Sequence, residues 1–158
     1  MDLTPITTPQ DWTSEKDFES YEDRFDEAEN YFADALERIA DGYAELTDAV
    51  DSALAYFQRH DHRLVPVYPG TLTLAEKLYR LSVITNTRNN DYKYKHRFAV
   101  HLHACQWVDA ERQRVMQAYY LGDEKVWLHP LCDLSDAIGC ATNEFVDAMK
   151  VEHKDYKL

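Results

Sequence analysis

Apolar residues recur along the first third of the chain with helical regularity. Phe18, Phe25, Phe32, Ile39 and Leu46 stand seven residues apart, and Tyr21, Ala28, Ala35, Gly42 and Ala49 each follow three residues later. Alternating steps of three and four place every one of these positions on a single helical face. Leu36, Tyr43, Val50 and Phe57 widen the stripe on one side. Ser14 followed by Asp17 has the form of a capping box, so the pattern predicts one long helix over residues 14–59, preceded by an extended lead at 1–13 that holds Pro5 and Pro9. At 1.5 Å per residue such a helix spans roughly 65–70 Å. A compact domain of this size has a radius of gyration near 15 Å. Either the molecule is elongated or the helix bends, and Gly42 is the expected bend. The small residues along the stripe equally invite the close approach of another helix.

Two prolines and a glycine in His60–Gly70 interrupt the pattern, and Leu64–Tyr68 is the one short stretch with strand character. Thr73 and Glu76 form a second capping box ahead of Leu74, Leu78, Leu81 and Ile84, a short helix ending at a turn over 86–90. A third helix is expected from Asp91 to Leu121, with Tyr94, Phe98, Leu102, Cys105, Val108, Val115 and Tyr119 facing inward and Gly122 just past its end. Pro130 suits the first turn of a fourth helix, whose stripe is Leu131, Leu134, Ile138, Ala141, Phe145 and Ala148. The polar tail after Glu152 reads as a frayed end. The expected fold is all-α: a bundle of three or four helices over 14–158 in one domain, with the long acidic helix first and the remainder of the bundle at about 72–152.

Charge sharpens this picture. The net charge of −12 is concentrated at one end: residues 1–57 hold 16 acids and three bases, whereas residues 58–158 hold 13 acids and 14 bases. Fourteen carboxylates fall within 15–51, and Glu19, Asp23, Asp26, Asp34, Glu37, Asp41, Glu45 and Asp48 climb the helix as one stripe. Only Lys16, Arg24 and Arg38 share that segment, too few for intrahelical pairing to offset the repulsion between like charges. Over the whole segment the density is roughly one charge per 4 Å of axis, against about one per 3.4 Å along a DNA strand. An acidic face opposite an apolar stripe is also what any solvated amphipathic helix presents. A second cluster, Lys77, Arg80, Arg88, Lys93, Lys95 and Arg97, provides an internal counterweight.

These features lead to a non-enzymatic interaction protein. Its acidic stripe would occupy a basic groove on a protein partner, most concretely the nucleic-acid channel of a DNA- or RNA-handling complex, as a stand-in for the phosphate backbone. Small acidic inhibitors of restriction or CRISPR systems encoded by phage are the analogy. Direct nucleic-acid binding is disfavoured by the net charge. The alternative from another class is a structural or assembly subunit whose heptad face packs against copies of itself. Three cysteines without a CxxC pair argue for a reducing compartment, and neither a signal sequence nor a membrane span is apparent, so a cytoplasmic location is expected.

Candidate chemistry is sparse. Arg97 and His103, with five residues between them, resemble the R-x4–6-H signature of the HEPN ribonuclease superfamily, although Phe98 stands where that family usually has a polar residue. The resemblance implies an Arg97 contact to phosphate and His103 as general acid/base. His101 and Cys105 share a face at i,i+4, with Asp109 one turn on, and could bind metal only if a segment such as His129–Cys132 completed the set. His60-Asp61-His62 lies in a turn-forming stretch. No metal or cofactor is expected.

Overall fold

The computed structural model describes residues 15–61, 70–88, 90–122 and 128–157, with side chains from Asn30 in the first stretch and from Pro130 in the last. Four helices form: α1 (Glu15–His60), α2 (Leu74–Arg88), α3 (Tyr92–Tyr120) and α4 (Leu128–Glu152). No strand occurs among the described residues, and the Leu64–Tyr68 stretch lies outside them. Ser14, the expected cap of α1, also lies outside them.

Local chemistry explains the helix limits. At α2, the Thr73 amide donates to Glu76 Oε2 at 2.7 Å and the Glu76 amide donates to Thr73 Oγ1 at 3.2 Å, which is the reciprocal bonding of a capping box. Asp91 caps α3 by accepting from the Lys93 amide at 3.0 Å. At the other end Gly122 adopts φ 71°, the left-handed geometry that stops a helix without a Cβ penalty. The expected turn at Asn86 starts later, because α2 continues through Arg88.

Contacts between named residues fix the directions. Lys77 meets Asp51 and Arg88 lies over the Phe57 ring, so α2 runs parallel to the last turns of α1. Asp109 meets Tyr43 and Tyr119 meets Phe32, so α3 runs antiparallel to α1. Ile138 abuts Gly42 and His153 packs on Tyr56, so α4 runs parallel to α1. The upper half is thus a four-helix arrangement, and α1, α3 and α4 continue below the end of α2. The α1 helix passes through Gly42 without interruption. Gly42 allows close helix approach: a Cβ there would stand 3.3 Å from Ile138 Cγ2.

The heptad face over Ala35–Phe57 is spent inside the chain. Ile39, Leu46, Ala49, Val50, Ala53 and Phe57 are buried together with Leu78, Leu81, Phe98, Leu102, Leu131, Ile138 and Phe145. Each fully buried large side chain contributes about 1.5–3 kcal/mol through removal from water. The expected inner faces of α3 and α4 are buried, except that Tyr119 is only partly so.

The end of the chain corrects the expectation of a frayed tail. Tyr156 is 4 % exposed and belongs to the core. Tyr56 Oη donates to Asp155 Oδ1 at 2.7 Å, and the Tyr156 and Tyr56 rings meet edge to face. Two aromatic rings folded back on α1 outweigh the polar residues between them.

Candidate functional site

The acidic stripe is the leading candidate, and five of its eight members have described side chains. Asp34, Glu37, Asp41, Glu45 and Asp48 are all exposed. They leave one side of α1 in steps of three and four, opposite the buried Ile39–Leu46–Ala53 face. Their charges therefore recur about every 5 Å over about 20 Å of axis. Among the described residues no ion pair reaches any of the five. The side chains of Glu19, Asp23 and Asp26 lie outside the described residues.

Several bases that could neutralise the stripe are held elsewhere. Lys77 is buried and its Nζ lies 2.7 Å from Asp51, which is not in the stripe. Arg97 pairs with Glu152, and Arg114 with Glu111 on its own helix, which lowers the Glu111 pKa through the hydrogen bond. The Arg88 guanidinium sits 5.2 Å above the Phe57 ring, and that of Arg112 sits 3.8 Å above Tyr43. Among the described residues, internal neutralisation of the acidic helix by the 77–97 cluster is thus confined to the Lys77–Asp51 pair.

Toward α4 the stripe borders an open groove of about 630 Å³, lined among others by Glu45, Asp48, Thr142, Asn143, Asp147 and Lys150. Asp147 carries the negative surface from α1 onto α4, with Lys150 as the cation at its upper edge. This extension follows from helix packing, and neither helix pattern alone displays it.

The weaker sequence candidates separate in space. Arg97 and His103 lie six positions apart on one continuous helix, so their side chains leave it about 120° apart with about 9 Å of rise between them. Arg97 is engaged by Glu152 and His103 is exposed. His101, Cys105 and Asp109 each have different neighbours. His101 lies 3.8 Å from Glu144, Cys105 Sγ faces the Ala141 carbonyl at 3.8 Å, and Asp109 is buried where Tyr43 Oη donates to it at 3.1 Å. Burial pushes the Cys105 thiol up to about 12, which suits an inert core residue. Among the described residues no group of three or more His, Cys, Asp or Glu side chains is placed to hold a metal ion. His62 lies outside the described residues, and so does the side chain of His129.

Sequence reasoning missed one cluster, at the end of the bundle where α1 and α4 finish. His60 bridges the Tyr56 carbonyl (2.8 Å) and Asp155 Oδ2 (2.9 Å), and its ring stacks on Tyr56 at 4.2 Å. His153 Nε2 lies 3.0 Å from Tyr94 Oη and its ring is surrounded by Tyr56, Phe57 and Phe98. Burial, reinforced by the nearby Arg88 charge, lowers the His153 pKa. Burial also raises Tyr94 to about 12. The hydrogen bonds from Tyr56 and then His60 lower Asp155. These residues form a clasp that holds the tail to the bundle. The signal available in sequence was the aromatic content of 153–156, set against its polar neighbours.

Comparison with protein-family models, with curated proteins and with solved structures finds no match. Among the described residues no helix is long and apolar enough to cross a membrane.

Proposed function

We propose that the chain is a non-enzymatic interaction protein whose acidic α1 face occupies a basic groove on a nucleic-acid-handling protein. One observation carries this reading: Asp34, Glu37, Asp41, Glu45 and Asp48 stand exposed on one face of a rigid helix, and none is engaged in an ion pair among the described residues. The helix is anchored along its opposite side by the core. Fixed charges cost little ordering when they are bound, so a partner receives an organised anionic surface. Charge of this kind steers association and selects partners of opposite sign. A channel built for a phosphate backbone meets carboxylates at comparable spacing and is blocked.

The assembly reading, in which the heptad face packs against other copies, draws no support from Ala35–Phe57, where that face is already buried within the chain.

The test is affinity capture by the intact chain and by a variant with Asp34, Asp41, Glu45 and Asp48 changed to lysine. The expected partner binds the natural chain at about 0.1 M salt, is released at about 0.5 M where screening acts within a few ångströms, and is displaced by added duplex DNA. The variant, folded as judged by circular dichroism, captures none. A partner retained equally by both chains would overturn the reading.

A further inference from the structure

Helix α3 is apolar on two opposite faces. Its inner face, Tyr94, Phe98, Leu102, Cys105 and Val108, is buried. Its outer face carries Tyr92 (76 % exposed), Val100 (51 %) and Trp107 (55 %), with His96 and His103 at intervening three- and four-residue steps. The neighbouring α2 exposes Tyr79 and Val83. Val83 and Ala99 line the same shallow groove of about 300 Å³ between the two helices. Because α2 and α3 run antiparallel, Tyr79 lies level with His103, and Trp107 follows one turn below. Five of the large exposed apolar side chains therefore share one two-helix face. Large apolar side chains grouped on one exposed face mark a contact surface.

The same face is distinctive in charge. From Tyr92 to Val108 the sequence has no carboxylate, and of its three bases Arg97 is paired with Glu152 of α4, which leaves Lys93 and Lys95 on this stretch of a chain whose net charge is −12. An acidic amphipathic helix is the complement of such a face.

The chain itself supplies one. Of the helices packed on α1, α2 starts near Asp51, and the other two reach down to Phe32: Tyr119 of α3 meets Phe32, and Leu128 of α4 stands ten residues before Ile138, as Phe32 stands ten before Gly42. Backbone geometry therefore leaves residues 15–30, 16 residues of α1, with no other described helix at their level, whereas Tyr31 already packs against the core. At 1.5 Å per residue this segment is about 25 Å long, matching the length of Tyr92–Val108. Its sequence continues the heptad as Phe18, Tyr21, Phe25 and Ala28, and Glu15–Glu29 carries eight carboxylates against two bases.

We infer that the chain forms a two-fold dimer in which the first four turns of α1 from each copy lie on the Tyr79–Val83–Val100–Trp107 face of the other. The two contacts are equivalent and exchange the same element, so the assembly closes at two copies. It rests on other observations than the function proposed above: that reading is carried by the exposed Asp34–Asp48, whereas the dimer uses residues 15–30 and the α2–α3 face.

The experiment is sedimentation of the full chain and of three variants, each checked for unchanged helix content. The natural chain is expected at about twice its 18.5 kDa mass. Trp107→Glu, with Val83→Glu as a second surface variant, and the pair Phe18→Glu/Phe25→Glu each reduce it to a monomer. Mixing the Trp107→Glu chain with the Phe18→Glu/Phe25→Glu chain restores dimer at higher concentration, because one natural α1 segment then meets one natural face. A monomeric natural chain, a dimer indifferent to either variant (α3 packing on α3 would leave the Phe18→Glu/Phe25→Glu chain dimeric), or a mixture that stays monomeric each overturns the proposal. Reversal of Asp34, Asp41, Glu45 and Asp48 leaves the mass unchanged, which separates failure of this inference from failure of the acidic-face reading.

Discussion

Gly42 and Ile138 set the spacing between the longest helix and the last one. A Cβ on Gly42 would come within 3.3 Å of Ile138 Cγ2 and 3.8 Å of its Cβ. Ile138 is fully buried, so it has little room to retreat. This approach brings Glu45 and Asp48 of α1 to the same groove as Asp147 of α4, and so determines the width of the anionic surface.

Side-chain size at position 42 should therefore control stability. Gly42→Ala is expected within about 0.5 kcal/mol of the natural chain, since a helix-propensity gain near 1 kcal/mol opposes the crowding of one methyl group. Gly42→Leu should lose about 1–3 kcal/mol, as overpacking forces the two helices apart. Denaturant midpoints measure both. A leucine variant as stable as the natural chain would show that the helices are not in close contact at this level.

The Lys77–Asp51 pair gives a second prediction. Lys77 is 4 % exposed, and its ammonium depends on Asp51, whose side chain is 34 % exposed, at 2.7 Å. Asp51→Ala strands a buried charge and should cost about 2 kcal/mol, less than the roughly 3–5 kcal/mol of a fully buried pair because water still reaches Asp51. Lys77→Met removes the stranded charge, so Lys77→Met/Asp51→Ala should regain most of that loss. If the double variant were less stable than Asp51→Ala alone, the pair would not be the reason for Lys77's burial.

The parts of this fold that were legible in sequence are those governed by helical period and by caps. Ile39, Leu46 and Phe57 declare their face by spacing, and Thr73 with Glu76 declares the start of α2. Features created by packing between distant segments were not legible. Asp109 has a polar side chain on an inner face, and it is buried where Tyr43, 66 residues away, donates to one carboxylate oxygen and Gln113 to the other. Tyr156 and His153 sit in a polar tail, and their burial depends on Tyr56 and Tyr94 on two other helices. The acidic stripe was visible as a list of residues; the lack of ion partners at its five members with described side chains and its extension to Asp147 depend on where the bases and α4 come to rest.

His153 should make stability depend on pH. Its folded pKa is lowered from 6.5, first by burial and then by Arg88, so the folded state resists protonation more than the unfolded chain does. Its contribution is present in full above about pH 6.5 and is lost as pH falls from there through the lowered folded value. The other charged or titratable neighbours are Asp155, which opposes the shift, and His60, which adds to it. The thermal midpoint of the natural chain should drop more between pH 7.5 and 5.5 than that of His153→Phe. Equal drops in the two proteins would remove His153 as the cause.

Tyr156 provides a contrast between its ring and its hydroxyl. The residue is buried against Tyr56, yet its Oη has no hydrogen-bond partner among the described residues. An unsatisfied buried polar group costs about 1–3 kcal/mol, so Tyr156→Phe should leave the protein as stable or raise stability by about 1 kcal/mol. Tyr156→Ala deletes the ring and should cost about 3 kcal/mol, at the low end of the values for buried aromatics because the tail can partly collapse. Tyr56→Phe, by comparison, loses the 2.7 Å bond to Asp155 and should cost about 1 kcal/mol. Urea unfolding of the three variants separates these effects. If Tyr156→Phe proved destabilising by as much as Tyr56→Phe, the Tyr156 hydroxyl would have to be bonded after all. If Tyr156→Ala were neutral, the tail would not be part of the core, and the clasp formed by His153, Asp155 and Tyr156 would fail with it.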